Sequence, residues 1–162
     1  MIQFNEIYDI PRYRMLSSAV RNAYLILNGH TYRNEFWNLL PKIDMFTYSK
    51  TVNGTPVTGQ YIQDLLANND YIINVDVYTT RNPWSSVVAA YQDKTIYLNT
   101  RRLNRQPEQL VATICHEFFH HADFIDQNAS FGHGDNNWKG KEYSAPYYLQ
   151  TLAEKAIRAS HK

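Results

Sequence analysis

The chain has 162 residues and a mass of 19.0 kDa, enough for one domain with a real hydrophobic core and short for two. An apolar fraction of 44% with 14% aromatic residues argues against a disordered tail, and a formal net charge of +1 gives no electrostatic case for nucleic acid or an anionic membrane as the main partner. The single cysteine, Cys115, excludes an internal disulfide, so packing, with or without help from a metal, must hold the fold.

No run approaches the roughly 20 continuous apolar residues that a membrane-spanning helix needs. The opening "MIQFNEIYDIPRYR" carries acids where a cleaved signal would carry a basic start and an apolar run, so a cytoplasmic location or export without a cleaved signal is expected. From Pro11 to Asn28, Met15, Leu16, Ala19, Val20, Ala23, Tyr24 and Leu27 recur at three- and four-residue spacing ahead of Gly29, which predicts an amphipathic helix. "TYRNEFWNLLPK" reads as a shorter helix closed by Pro41. "TGQYIQDLLANND" reads as a third, with Thr58 as its N-cap.

The texture then changes. "YIINVDVYTT" (71–80) and "SSVVAAYQDKTIYLNTR" (85–101) are rich in β-branched and aromatic residues, and Gln92-Asp93-Lys94 breaks the second run; three strands are expected, the last two a hairpin. From Pro107, a residue suited to a first helical position, "EQLVATICHEFFHHADF" returns to helical spacing. After a polar loop with two glycines, "SAPYYLQTLAEKAIRAS" predicts a C-terminal helix starting near Pro146. The fold class expected is α+β: three strands and the 107–124 helix, with helices at either end. One domain over 1–162 is expected, with a helical part to about residue 70 and a second part from about 71 that holds the chemistry-bearing motif.

Chemistry concentrates in "ICHEFFHHADF". His116 and His120 lie four apart, on one face of a helix and one turn apart, so their imidazoles can converge on one ion. Glu117 advances about 100° from His116, which places its carboxylate beside the open position of a metal rather than on the metal. Water at that position can touch both; zinc acidifies it and Glu117 takes its proton, giving a nucleophile for a carbonyl. Apolar rows Leu110, Ile114, Phe118 and Val111, Cys115, Phe119 leave only a narrow polar strip on this helix. Buried polar groups need partners, and the alternative to a metal is an ordinary hydrogen-bond network. His121 turns about 100° from His120 and should point away from the ion, toward solvent or a supporting position. His30 and His161 have no partner pattern and read as surface residues.

Catalytic zinc usually keeps three protein ligands. Asp123, His133, Asp135 and Glu142 are the candidates for the third. Asp123 is the weakest, since no glycine follows to turn the chain back. His133, bracketed by Gly132 and Gly134 in "SFGHGDN", is the leading choice because glycines let a loop fold back and aim one side chain at the helix, with Asp135 close behind. Tyr143 and Tyr147, in "EYSAPYYL", are candidates to hydrogen-bond an oxyanion.

Over residues 85–150 the chain resembles the zincin superfamily of zinc metallopeptidases, and more loosely small bacterial and phage-type members. The resemblance rests on "VVAAY…TIYLNTR" ahead of the H-E-x-x-H helix, a glycine- and histidine-bearing loop after it, and the "SAPYYL" segment. It implies a mixed sheet whose edge strand holds an extended peptide across the cleft, Zn2+ held by His116, His120 and His133, and Glu117 as general base. It also implies a peptide or protein as substrate. Two other readings stand beside it: a zinc hydrolase of a non-peptide, cell-wall-type amide, and a binding or toxin-like module with a structural zinc.

Overall fold

Side chains of Tyr71, Ile73 and Val75 are buried on one face of "YIINVDVY", while Ile72 faces solvent, the period-two pattern of a strand covered on one side. In a computed structural model, which describes residues 1–29, 35–132 and 143–160, this strand is central to a four-stranded mixed sheet. The strands are β1 (Ile2–Glu6), β3 (Tyr71–Tyr78), β5 (Thr95–Asn99) and β4 (Ala89–Gln92), in that spatial order. β1 and β5 each run parallel to β3, and β4 is an edge strand antiparallel to β5. A separate antiparallel pair joins β2 (Ser49–Thr51) to β6 (Ala129–Phe131).

The expected hairpin closes through Asp93 and Lys94, at φ 50° and 59°. Two left-handed residues in succession make the two-residue turn whose twist matches that of paired strands. Here it is built without glycine.

Among the described residues five α-helices complete the order: α1 (Arg14–Leu27), α2 (Glu35–Leu39), α3 (Gly59–Asn68), α4 (Pro107–Ile125) and α5 (Ala145–Ser160). α1 starts at Arg14 rather than Pro11, after a turn in which Tyr13 N–H donates to Asp9 C=O. Its end is tied to β1 by the Asn28 carboxamide, which accepts from Ile2 N–H at 2.8 Å and donates to Ile2 C=O at 2.9 Å. Gly29 follows at φ 71°, the left-handed stop expected of it. α2 gives way at Pro41 to a single 3-10 turn over Leu40–Lys42. The Thr58 hydroxyl caps α3 by accepting from Tyr61 N–H at 3.1 Å.

The first 70 residues are therefore not wholly helical, because they contain β1 and β2. α4 lies at the centre of the packing, between α1 and α5 and against the sheet. Both of its apolar rows are essentially sealed, and Phe118 meets Phe4 and Tyr71 edge-on at ring-centroid separations of 6.1 and 5.4 Å. Cys115 is fully buried, which pushes its thiol well above the ordinary range and leaves it a small apolar core residue. Among the described residues no helix is long and apolar enough to cross a membrane.

Candidate metal centre and active-site cleft

The four-residue spacing on α4 does bring the two imidazoles together. His116 Nε2 and His120 Nε2 are 3.3 Å apart, with ring centroids separated by 5.1 Å. Two nitrogens bound to one tetrahedral zinc at about 2.0–2.1 Å lie roughly 3.3–3.4 Å from each other. The pair is thus spaced as zinc ligands are, and imidazole nitrogen is a donor that zinc favours. Among the described residues no group of three or more His, Cys, Asp or Glu side chains gathers into a metal site. Of the expected third ligands, His133, Asp135 and Glu142 lie outside the described residues.

Glu117 comes from the same turn of α4 but is held from the sheet. The Tyr91 backbone N–H on β4 donates to its carboxylate, and burial outweighs that bond, lifting the carboxyl from 4.5 to about 7. The geometry of the hairpin explains why this N–H is free to reach out. With Gln92 opposite Thr95 across a two-residue turn, the alternation of an antiparallel ladder directs the main chain of Gln92, Ala90 and Val88 toward β5. Asn99 N–H donates to Val88 C=O at 2.8 Å in keeping with it. Main-chain groups of Ala89 and Tyr91 face the other way, toward α4.

His121 is rotated off the pair as expected, but it does not face solvent. It is 1% exposed, packed among the rings of Tyr71, Tyr91 and Phe118, and its Nδ1 lies 3.1 Å from the Tyr91 hydroxyl. Burial, with Lys94 adding a positive field, lowers its pKa to about 4, so it is a neutral core residue at physiological pH. Helical rotation gives the direction of a side chain; what packs there is a property of the sheet. His30 and His161 lie outside the described residues.

Asp123 has a structural task whether or not it meets a metal. Its Oδ1 accepts from Phe131 N–H at 2.7 Å, fastening β6 to the turn of α4 just past His120. Asp126 does similar work one turn on, accepting from Asn128 N–H at 3.0 Å and from the Tyr61 hydroxyl at 2.7 Å. The chain therefore enters the 133–142 segment from an anchored start. Gly132 is required there by closeness rather than by backbone freedom: a Cβ on it would stand 2.9 Å from the Tyr48 carbonyl oxygen.

Around these groups opens a cleft of about 1040 Å³, walled by His116, Glu117 and His120, by β4 with the residues before it, and by Tyr147 and Gln150 of α5. Of the two tyrosine candidates, Tyr147 lines the cleft with its ring against His116, at a centroid separation of 4.5 Å. Tyr143 is exposed and is not among the lining residues. Sequence reasoning missed the Tyr91 N–H, because any residue type carries that donor; only the strand register could have pointed to it.

A family model described as the SprT-like family matches residues 45–151, from just ahead of β2 into α5, and so takes in all of α4. No curated protein and no solved structure matches the chain.

Proposed function

Taking as premise that the chain belongs to the SprT-like family, a zincin-type family related to zinc metallopeptidases, we propose that it is a zinc-dependent hydrolase of peptide bonds. The observation that carries this reading is the 3.3 Å approach of the His116 and His120 ring nitrogens inside a cleft that Glu117 also lines. His116 and His120 would hold the zinc, with His133 as the third ligand. Bound there, zinc supplies a Lewis acid and acidifies water, as it does wherever it is catalytic.

The remaining steps belong to the chain's own residues. Glu117 accepts the proton of the attacking water, whose oxygen adds to the scissile carbonyl carbon; when the C–N bond breaks, the same carboxyl returns the proton to the departing amine. Glu117 lines the cleft beside the two histidines, where a carboxylate can both take and return that proton. Tyr91 N–H keeps the carboxylate aimed into the cleft. The Tyr147 hydroxyl is the donor proposed for the developing oxyanion. The outward main chain of Ala89 and the Tyr91 carbonyl, with the Tyr91 N–H kept for Glu117, offer an extended peptide a strand edge to pair with, and this favours a peptide over a non-peptide amide.

Two measurements test this reading. Protein purified without chelator should carry about one zinc per chain, and should cleave unfolded protein or a peptide mixture. Glu117→Gln should keep the zinc and lose nearly all hydrolysis. Loss of the metal in that variant would make Glu117 a ligand, and full activity would remove it from catalysis.

A further inference from the structure

The two ends of the cleft differ in chemistry, and the difference names a class of substrate. The lining follows α4 from Arg105, just ahead of its start, to Phe124 near its end. At 1.5 Å per helical residue the span is about 28 Å, the length of roughly eight extended residues. β4 runs alongside in the same sense. The Arg102 guanidinium holds Ser85 C=O through Nε at 2.9 Å and Nη2 at 2.5 Å, which fixes the approach to β4 beside the start of α4. At the other end the Tyr91 ring meets His121 and Phe124, at centroid separations of 5.6 and 6.4 Å.

At this second end an aromatic surface is left open. Phe124 is 63% exposed although it lies against Tyr91 and lines the cleft. A lone exposed ring is ordinary on a protein surface. An exposed ring leaning on a second ring that His121 fixes in place, inside the cleft that holds Glu117, is a surface shaped to be covered by another apolar side chain.

At the first end stands the one cation among the described lining residues. Arg105 is half-buried and takes part in none of the ion pairs formed among the described residues; nearby Glu108 pairs instead with Arg158. The carboxylates of the lining, Glu117 and Asp123, sit at the centre and toward Phe124. An acidic side chain in the substrate is therefore drawn to the Arg105 end and opposed near Asp123, toward Phe124.

Resting on the peptidase reading above, the geometry points to selection of extended peptides that carry a large apolar or aromatic residue on one side of the scissile bond and an acidic residue on the other. The first is read by Tyr91 and Phe124, the second by Arg105. Measured from Glu117, the Phe124 contact lies about three substrate residues away and the Arg105 contact about five, given the helical rise and strand spacing.

The test is cleavage-site profiling by mass spectrometry, using zinc-loaded full-length protein and a mixture of peptides from digested cell protein. Enrichment of Phe, Tyr, Leu or Met on one side and of Asp or Glu on the other is expected. Arg105→Glu should exchange the acidic preference for Lys and Arg. On a fluorogenic peptide with an acid at that position it should lower kcat/KM about tenfold, leaving a neutral peptide within about twofold. Phe124→Ala should flatten the apolar preference by a similar factor. In parallel, fluorescence anisotropy of the same labelled peptides on the zinc-loaded Glu117→Gln variant reads selection without turnover. Cleavage with flat profiles overturns the selection and leaves the peptidase reading standing. Selective binding without any cleavage by the wild type overturns the peptidase reading and leaves the selection standing. Neither binding nor cleavage overturns both.

Discussion

Replacing Glu117 by Gln should stabilise the zinc-free protein, and only at pH values where the native carboxylate is charged. Burial raises the Glu117 carboxyl from 4.5 to about 7 despite the Tyr91 N–H. Below pH 4.5 the group is protonated in the folded and the unfolded chain alike, and ionisation costs the fold nothing. As pH rises from 4.5 to about 7 the unfolded chain releases its proton first, so stability falls; above that window both states are ionised and the full cost remains. At about 1.36 kcal/mol per pH unit the cost reaches about 3 kcal/mol, or roughly 6–12 °C in Tm for a chain of this size. Gln keeps the shape and can still accept from Tyr91 N–H, so the gain isolates the charge. Urea unfolding of both proteins after chelation checks this: the difference should be under about 1 kcal/mol near pH 5 and approach its full size near pH 8. Zinc should narrow the gap, since a cation beside the carboxylate favours its ionised form. A difference that ignores pH, or a Gln variant less stable than wild type at the alkaline end, would refute the reasoning.

His120→Ala should abolish stoichiometric zinc, whereas His121→Ala should keep it and instead cost about 2–4 kcal/mol by emptying an aromatic pocket; metal analysis and thermal melts of the two variants separate these outcomes. His133→Ala should also release zinc, and retention there with loss on Asp135→Ala or Glu142→Ala would reassign the third ligand. Gly132→Ala should cost about 1–3 kcal/mol in chemical unfolding, because its Cβ presses on backbone rather than on a side chain that can turn aside. Thr58→Ala should cost about 1 kcal/mol through the lost cap of α3, with peptide hydrolysis unchanged.

What the sequence disclosed follows the range of the forces that shape each element. α4 was legible in full, since its spacing, its Pro107 start and the convergence of His116 with His120 all arise within one helix. The hairpin of β4 and β5 was legible for the same reason: its partners are neighbours along the chain. β1 was not, because Ile2 pairs with Tyr71 in a parallel register that leaves no local turn to mark it. β2 and β6, at three residues each, are too short for a period to show. Within the site, the direction of His121 was readable and its surroundings were not, as they are supplied by Tyr71 of β3 and Tyr91 of β4. Asp123 offered a carboxylate at a metal-like interval, and its bond to Phe131 N–H was not readable, because it depends on the return of β6.

The exposed tip of the hairpin, Asp93 and Lys94, carries no chemistry and lies at the kind of surface turn where chains ordinarily gain or lose residues without harm. Here a change of length has a different fate. One residue more or fewer remakes the turn that sets β4 against β5, and a slip of one place there would turn every side chain of the strand to the other face. Ala90 or Gln92 would then stand where Tyr91 offers its N–H to Glu117, and no ring would meet His121. The surroundings of the Glu117 carboxylate thus depend on a count, the number of residues between Tyr91 and Ile96. Substitutions within that interval leave the count as it is; insertions and deletions change it.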